Sequence, residues 1–207
     1  MRVARFDYPI NPNQNEFITD VEELANQTFP LPEGKPQILG VTDNVVIAAN
    51  LGKLLRNKNI ILACLEDEER RLAGFSLAMP LGMFDPQRTL LEGVNEKSNI
   101  KSAYVYYTAL KENLRGKGIV GDLKAILHHR LIEQNYKLMI GDLVISNGYA
   151  DNALEAYGPS VLFSKEHEGY EGTGPEKRIV VDLRNPTKLP GFAPGPDPNP
   201  YLDHRKK

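Results

Sequence analysis

The sequence predicts a mixed α/β domain, a mainly antiparallel central sheet flanked by helices, on three observations. Apolar runs of strand length alternate with segments of helical periodicity in the order β, α, α, β, β, β, α, β, α, β, β. The 207 residues, 41% hydrophobic and 25% charged, suffice to bury the core of one domain. In mid-chain a strand rich in Tyr, Val and Thr runs through a glycine-rich turn into an amphipathic helix.

Residues 2–8 read as an opening strand, and residues 15–29 as a helix with Phe17, Val21, Leu24 and Ala25 at helical spacing. The Pro/Gly-rich stretch 30–36 turns the chain towards a second helix over 42–55. Thr42 or Asp43 would cap it, and Val46, Ala49, Leu51 and Leu54 are among its apolar positions. Two apolar runs, 59–65 and 72–79, flank the charged segment 66–71 and read as an antiparallel hairpin that Pro80 ends. Residues 81–101 are polar and irregular, and so long a loop in a compact domain is expected to be functional, here by shaping an acceptor site. Residues 103–110 form the mid-chain strand, followed by a helix on which Ile119, Leu123, Ile126, Leu127 and Leu131 are periodic. Residues 138–145 are a further strand, 151–157 a short helix, and 160–164 with 178–183 a final strand pair. The folded domain is expected to span residues 1–184. The Pro-rich remainder, 185–207, reads as an extended tail.

With 25 basic against 27 acidic residues the formal charge is -2, so no net field gathers nucleic acid or an acidic membrane surface. Cys64, between Leu62 and Leu65, cannot form a disulfide within the chain and reads as a buried thiol in a reducing cytoplasm. The start mixes Arg2, Arg5 and Asp7 with apolar residues, unlike a secretory signal, and no run approaches the roughly 20 apolar residues of a membrane span. His128, His129 and His167 lack ligand-like spacing with Cys or carboxylates, so they read as surface residues and no metal is expected.

Arg115, Gly116, Lys117, Gly118, Ile119, Val120 and Gly121 stand between strand and helix, where free backbone N–H groups would face outward. Glycine allows a diphosphate to approach, the helix dipole favours its charge, and Arg115 or Lys117 could pair with it. Glycines serve simple tight turns equally well. A P-loop is excluded because Gly118 follows Gly116-Lys117 where a Ser or Thr is required. Gly116, Gly118 and Gly121 satisfy the Gly-x-Gly-x-x-Gly spacing of a dinucleotide fold, with Asp142 downstream. The turn nevertheless falls mid-chain, after several strands.

The segment Arg115-Gly116-Lys117-Gly118-Ile119 resembles motif A of the GNAT superfamily of N-acetyltransferases, with Val120 where the family prefers Gly or Ala. Ala153-Leu154-Glu155-Ala156-Tyr157-Gly158 looks like its motif B helix. The resemblance, over residues 60–183, implies a GNAT-like acyl-CoA N-acyltransferase fold that transfers acetyl from acetyl-CoA to a primary amine. It also implies that backbone at Thr108, Ala109 and Leu110 pairs with pantetheine, that residues 115–121 hold the diphosphate, and that Asn147 approaches the coenzyme. Tyr157 would protonate the departing thiolate and Asp142 would act as general base, with Glu112 and Tyr106 as competitors near the thioester. A backbone N–H at Leu110 would face the oxyanion, a contact worth about 3–4 kcal/mol in other acyl-transfer enzymes. Tyr104, Tyr106 and Tyr107 either line an acceptor pocket or fill a sheet face. A homodimer is a family-level expectation. Two other functions fit the same residues: a non-catalytic acetyl-CoA-binding module, and transfer of a longer acyl group into a channel near Leu110 and Leu143.

Overall fold

The computed structural model describes residues 2–5, 15–28, 41–42, 45–46, 54–67, 69, 71–84, 89–91, 100–146, 148–169, 174–184 and 189. In chain order these form β1 (Arg2–Arg5), α1 (Asn15–Thr28), β2 (Val41–Thr42), β3 (Val45–Val46), β4 (Ile61–Glu66), β5 (Leu72–Pro80) and α2 (Leu81–Phe84). There follow β6 (Ser102–Leu110), α3 (Ile119–Glu133), β7 (Leu138–Val144), α4 (Tyr149–Tyr157), β8 (Val161–Glu168) and β9 (Pro175–Asp182). Seven strands make one sheet in the order β1-β4-β5-β6-β7-β9-β8, and β2 pairs with β3 apart from it. Among the described strands of this sheet only the β6–β7 contact is parallel, so the expected mixed, mainly antiparallel sheet is what forms.

The second helix, expected over 42–55, is not what stands at its start. Val41–Thr42 and Val45–Val46 pair as antiparallel strands, and within that span the described helical residues are Leu54 and Leu55. β-branched residues on both sides of Asp43-Asn44, two turn-forming residue types, favour a hairpin over a cap. The 81–101 segment contains α2 and a 3-10 turn at Thr89–Leu91; its remainder lies outside the described residues. So does the Pro-rich stretch from 185, except Leu189, which is buried with the core.

The sheet separates two apolar cores. Val21 and Leu24 of α1 pack with Phe75, Leu77, Tyr104 and Ile140 on one face. Leu123 and Leu127 of α3 and Tyr157 of α4 pack with Leu110, Met139 and Val181 on the other. The alternation along β6 is broken once. Leu77 pairs with Tyr107 and Ala78 with Val105, so Tyr106 has no place in the β5 register and forms a β-bulge. Beyond the bulge the faces exchange: Tyr104 belongs to the α1 side, whereas Thr108 and Leu110 turn to the α3 side.

Gly74 lies opposite Leu110, where an added methyl group would collide with the Leu110 side chain and come within 3.0 Å of the Ala109 carbonyl. Gly74→Ala is expected to cost about 1–3 kcal/mol by overpacking, read as a lower denaturant midpoint. The double variant with Leu110→Ala should cost less than the two single changes added together.

Candidate active site

β6 and β7 are neighbours only over Ser102↔Leu138 to Val105↔Gly141. Past those pairs β6 keeps its bonds to β5 as far as Leu110, and β7 keeps its bonds to β9 as far as Val144. The strands therefore part into a V. Along one arm the backbone of residues 106–110 has no strand partner on the β7 side, an edge able to pair with an extended ligand. Thr108, Ala109 and Leu110 stand there.

From the open end of that arm the chain passes through a 3-10 turn at Glu112–Leu114 into the glycine-rich turn. Gly116 and Gly118 hold φ of +72° and +76°, a left-handed conformation that only glycine adopts cheaply. Gly118 caps α3, and a Cβ at Gly121 in its first turn would meet open space. Glycine there relieves no clash and weakens the helix, which fits a site kept clear for a ligand. Lys117 is exposed, while Ile119 and Val120 pack against the α3-side core. Arg115 does not reach over the turn. Its Nε donates to the Leu110 carbonyl at 3.3 Å and its Nη2 to Thr28 Oγ1 at 3.4 Å, tying the strand end to α1.

Beneath the V, on the α3 side, lies a buried polar chain that the sequence reading missed. Lys124, 8% exposed, donates from Nζ to Thr108 Oγ1 at 2.8 Å, and Thr108 Oγ1 also lies 2.8 Å from Ser76 Oγ. Burial pulls the Lys124 ammonium down to about 8, and no carboxylate pairs with it among the described residues. One helical turn on, His128 is fully buried rather than at the surface, with Nε2 3.0 Å from Tyr157 Oη. Burial first, and then the Lys124 charge, pull this imidazole down to about 3, so it is neutral. Its Nδ1 has no partner among the described residues. The tautomer that leaves no buried N–H unpaired has Nε2–H donating to Oη, and it frees the Tyr157 proton for another acceptor. The Tyr157 phenol is pushed well above its ordinary value, by burial and then by Tyr149. The signal for these residues was spacing: Lys124, His128 and the buried Leu131 stand at i, i+4 and i+7.

Asp142 occupies β7 on the opposite, α1-side face, so the two catalytic candidates lie on different sides of the sheet. Its side chain, 5% exposed, receives Arg178 Nε at 2.8 Å and Nη2 at 3.0 Å, Tyr104 Oη at 2.9 Å and His167 Nε2 at 3.1 Å. His167 is thus held in a network rather than standing at the surface as expected, because β8 flanks β9 and the imidazole reaches across that strand to Asp142 on β7. Likewise, His129 is half-buried and lies 3.0 Å from Glu133. Asp142, His167 and Glu176 come close enough to be considered as metal ligands, but the bidentate Arg178 already compensates the Asp142 charge. Tyr104 fills a sheet face, stacked on Phe84 at 4.0 Å between centroids. Asn147 lies outside the described residues.

No protein-family model matches the sequence, and no curated protein matches it. Solved structures do match. A chain of the NatC complex bound to Gag peptide and CoA superposes with a TM-score of 0.57 at 15% identity, over 88% of this chain and 99% of that one. Aminoglycoside 6'-acetyltransferase type Ii gives 0.56 at 13% identity, over 89% and 99%. Arabidopsis thaliana NAA60, in complex with a bisubstrate analogue, gives 0.56 at 13% identity, over 84% and 95%. The fold of this chain is the fold shared by the GNAT N-acetyltransferases.

The buried Lys124 makes a prediction about stability. Its folded value of about 8 lies below its ordinary 10.5. Between those values the unfolded chain holds a proton that the folded chain has released, so this group's contribution to stability rises with pH across that window. Below pH 8 both states are charged and the folded state bears the full cost of burying the ammonium. Lys124→Met is therefore expected to stabilise the fold at pH 7, with the gain shrinking from pH 8 to 10.5, as paired denaturant titrations of variant and parent would show.

Proposed function

We propose that this protein is an acetyl-CoA-dependent N-acetyltransferase that passes acetyl directly to a primary amine of a small molecule or protein. One observation carries the reading: beyond Val105 no described strand pairs with the β7-side edge of β6, and that edge leads through one 3-10 turn into the left-handed glycine turn at the N-terminus of α3. An extended chain bearing amides and ending in a diphosphate complements that sequence of groups, amide to strand edge and phosphate to helix N-terminus. Pantetheine and the diphosphate of coenzyme A have this form. Among proteins of the same fold, the NatC complex is bound to Gag peptide and CoA, and an aminoglycoside 6'-N-acetyltransferase is complexed with coenzyme A. The acceptor class therefore does not follow from the fold.

In this reading residues 108–110 hold the pantetheine and thioester, and residues 115–121 with Asn147 hold the rest of the coenzyme. The neutral amine nitrogen attacks the thioester carbon, a backbone N–H of the β6 edge faces the oxyanion, and collapse breaks the C–S bond and sends its electron pair to sulfur. Tyr157 is the expected proton donor. Asp142 is the carboxylate on the acceptor face, and its four donors make it an organiser of Tyr104, His167 and Arg178 that serves as base only when one of them yields. The reading needs no metal, and the buried Cys64 accords with a reducing cytoplasm. The engaged state of Asp142 is also the observation that favours a second reading, a module that binds acetyl-CoA without turnover.

Calorimetry with acetyl-CoA, followed by thiol release with a panel of amines, separates the two. Wild type is expected to bind and turn over, Gly118→Trp to lose binding, and Tyr157→Phe to bind with lowered turnover. Binding by wild type with no release on any amine favours the sensing module; no binding at all contradicts both.

A further inference from the structure

We propose that Lys124 is the group that meets the coenzyme's sulfur, its ammonium stabilising the thiolate as it departs. The inference rests on the acetyl-CoA reading and adds to it a residue that motif resemblance does not single out. Lys124 stands on the α3 face beneath the V, its Nζ anchored by a hydrogen bond to Thr108 Oγ1, in the middle of the β6 segment that β7 does not pair with. An ammonium has three N–H donors. Of these, one is used among the described residues, so up to two remain for a ligand inside a nearly closed site. The groups beside it are the Thr108 hydroxyl and, through it, that of Ser76 from the sheet, and neutral His128 on its own helix, which in turn meets the un-ionised Tyr157 of α4. None supplies a negative charge. A buried cation without a counter-ion is costly, and a thiolate formed in the V would be its counter-ion.

The chemistry balances. As the N–C bond forms and the C–S bond breaks, the electron pair goes to sulfur beside the Lys124 ammonium, the Tyr157 hydroxyl gives the thiolate its proton, and the free thiol leaves. Tyr157 takes a proton back from solvent, which also receives the proton lost by the acylated nitrogen.

The test requires no acceptor. Coenzyme A is bound to wild type and to Lys124→Met, and the thiolate absorbance of the bound coenzyme is followed against pH. Affinity for desulfo-coenzyme A is measured alongside. In wild type the bound thiol should titrate at least one unit lower than in the variant, about ten-fold more thiolate at a given pH. Wild type should also prefer coenzyme A over the desulfo compound at pH 8, and the variant should lose that preference. Identical titrations in the two proteins would overturn the role of Lys124, as would an equal loss of affinity for both compounds in the variant. Failure of wild type to bind coenzyme A would instead sink the acetyl-CoA reading on which the proposal rests.

Discussion

Two strands that begin as neighbours are drawn apart by the partners each retains. β6 stays in register with β5 to Leu110, β7 stays in register with β9 to Val144, and their own parallel pairing ends at Val105 and Gly141. Tyr106, the next residue, is the one that the β5 register skips. A bulge increases local twist and bends its strand, which accounts for the parting at this point. It also exchanges the faces of β6, so that Thr108 meets α3 instead of α1. The open strand edge, the hydroxyl that anchors Lys124 and the approach to the α3 N-terminus all depend on that single bulged residue.

The two faces of the sheet treat charge differently. On the α1 side Asp142 is buried, but a bidentate guanidinium, a phenol and an imidazole satisfy it, so the network closes on itself. On the α3 side Lys124 and His128 interrupt a helix surface otherwise packed with Leu123, Leu127 and Leu131, and neither is fully satisfied. Apolar residues at both positions would pack better. Local rules of folding are most often broken where a site needs them broken, and the V above these side chains is where such a need exists.

Much of the fold was legible because its signals are local. The hairpin of β4 and β5, the glycine turn, the α3 stripe and the last strand pair follow from apolar period and turn residues. The hairpin at Val41–Val46 was read as a helix because Thr42 and Asp43 suit a cap as well as a turn. The bulge at Tyr106 was invisible, since strict alternation would put Tyr104, Tyr106 and Thr108 on one face. His128 was assigned to the surface for want of metal-ligand spacing, while its i+4 relation to Lys124 and i+3 relation to Leu131 went unread. Tyr157 was found by motif, but its partner on another helix follows only from packing.

Amide hydrogen exchange with and without coenzyme A tests most directly whether the V between β6 and β7 holds the coenzyme. Residues 103–105 are already paired on both sides and should be unchanged, whereas residues 106–110 and 116–121 should gain protection together when coenzyme A is added. Protection confined to another part of the chain, with residues 106–110 exchanging as before, would contradict the account.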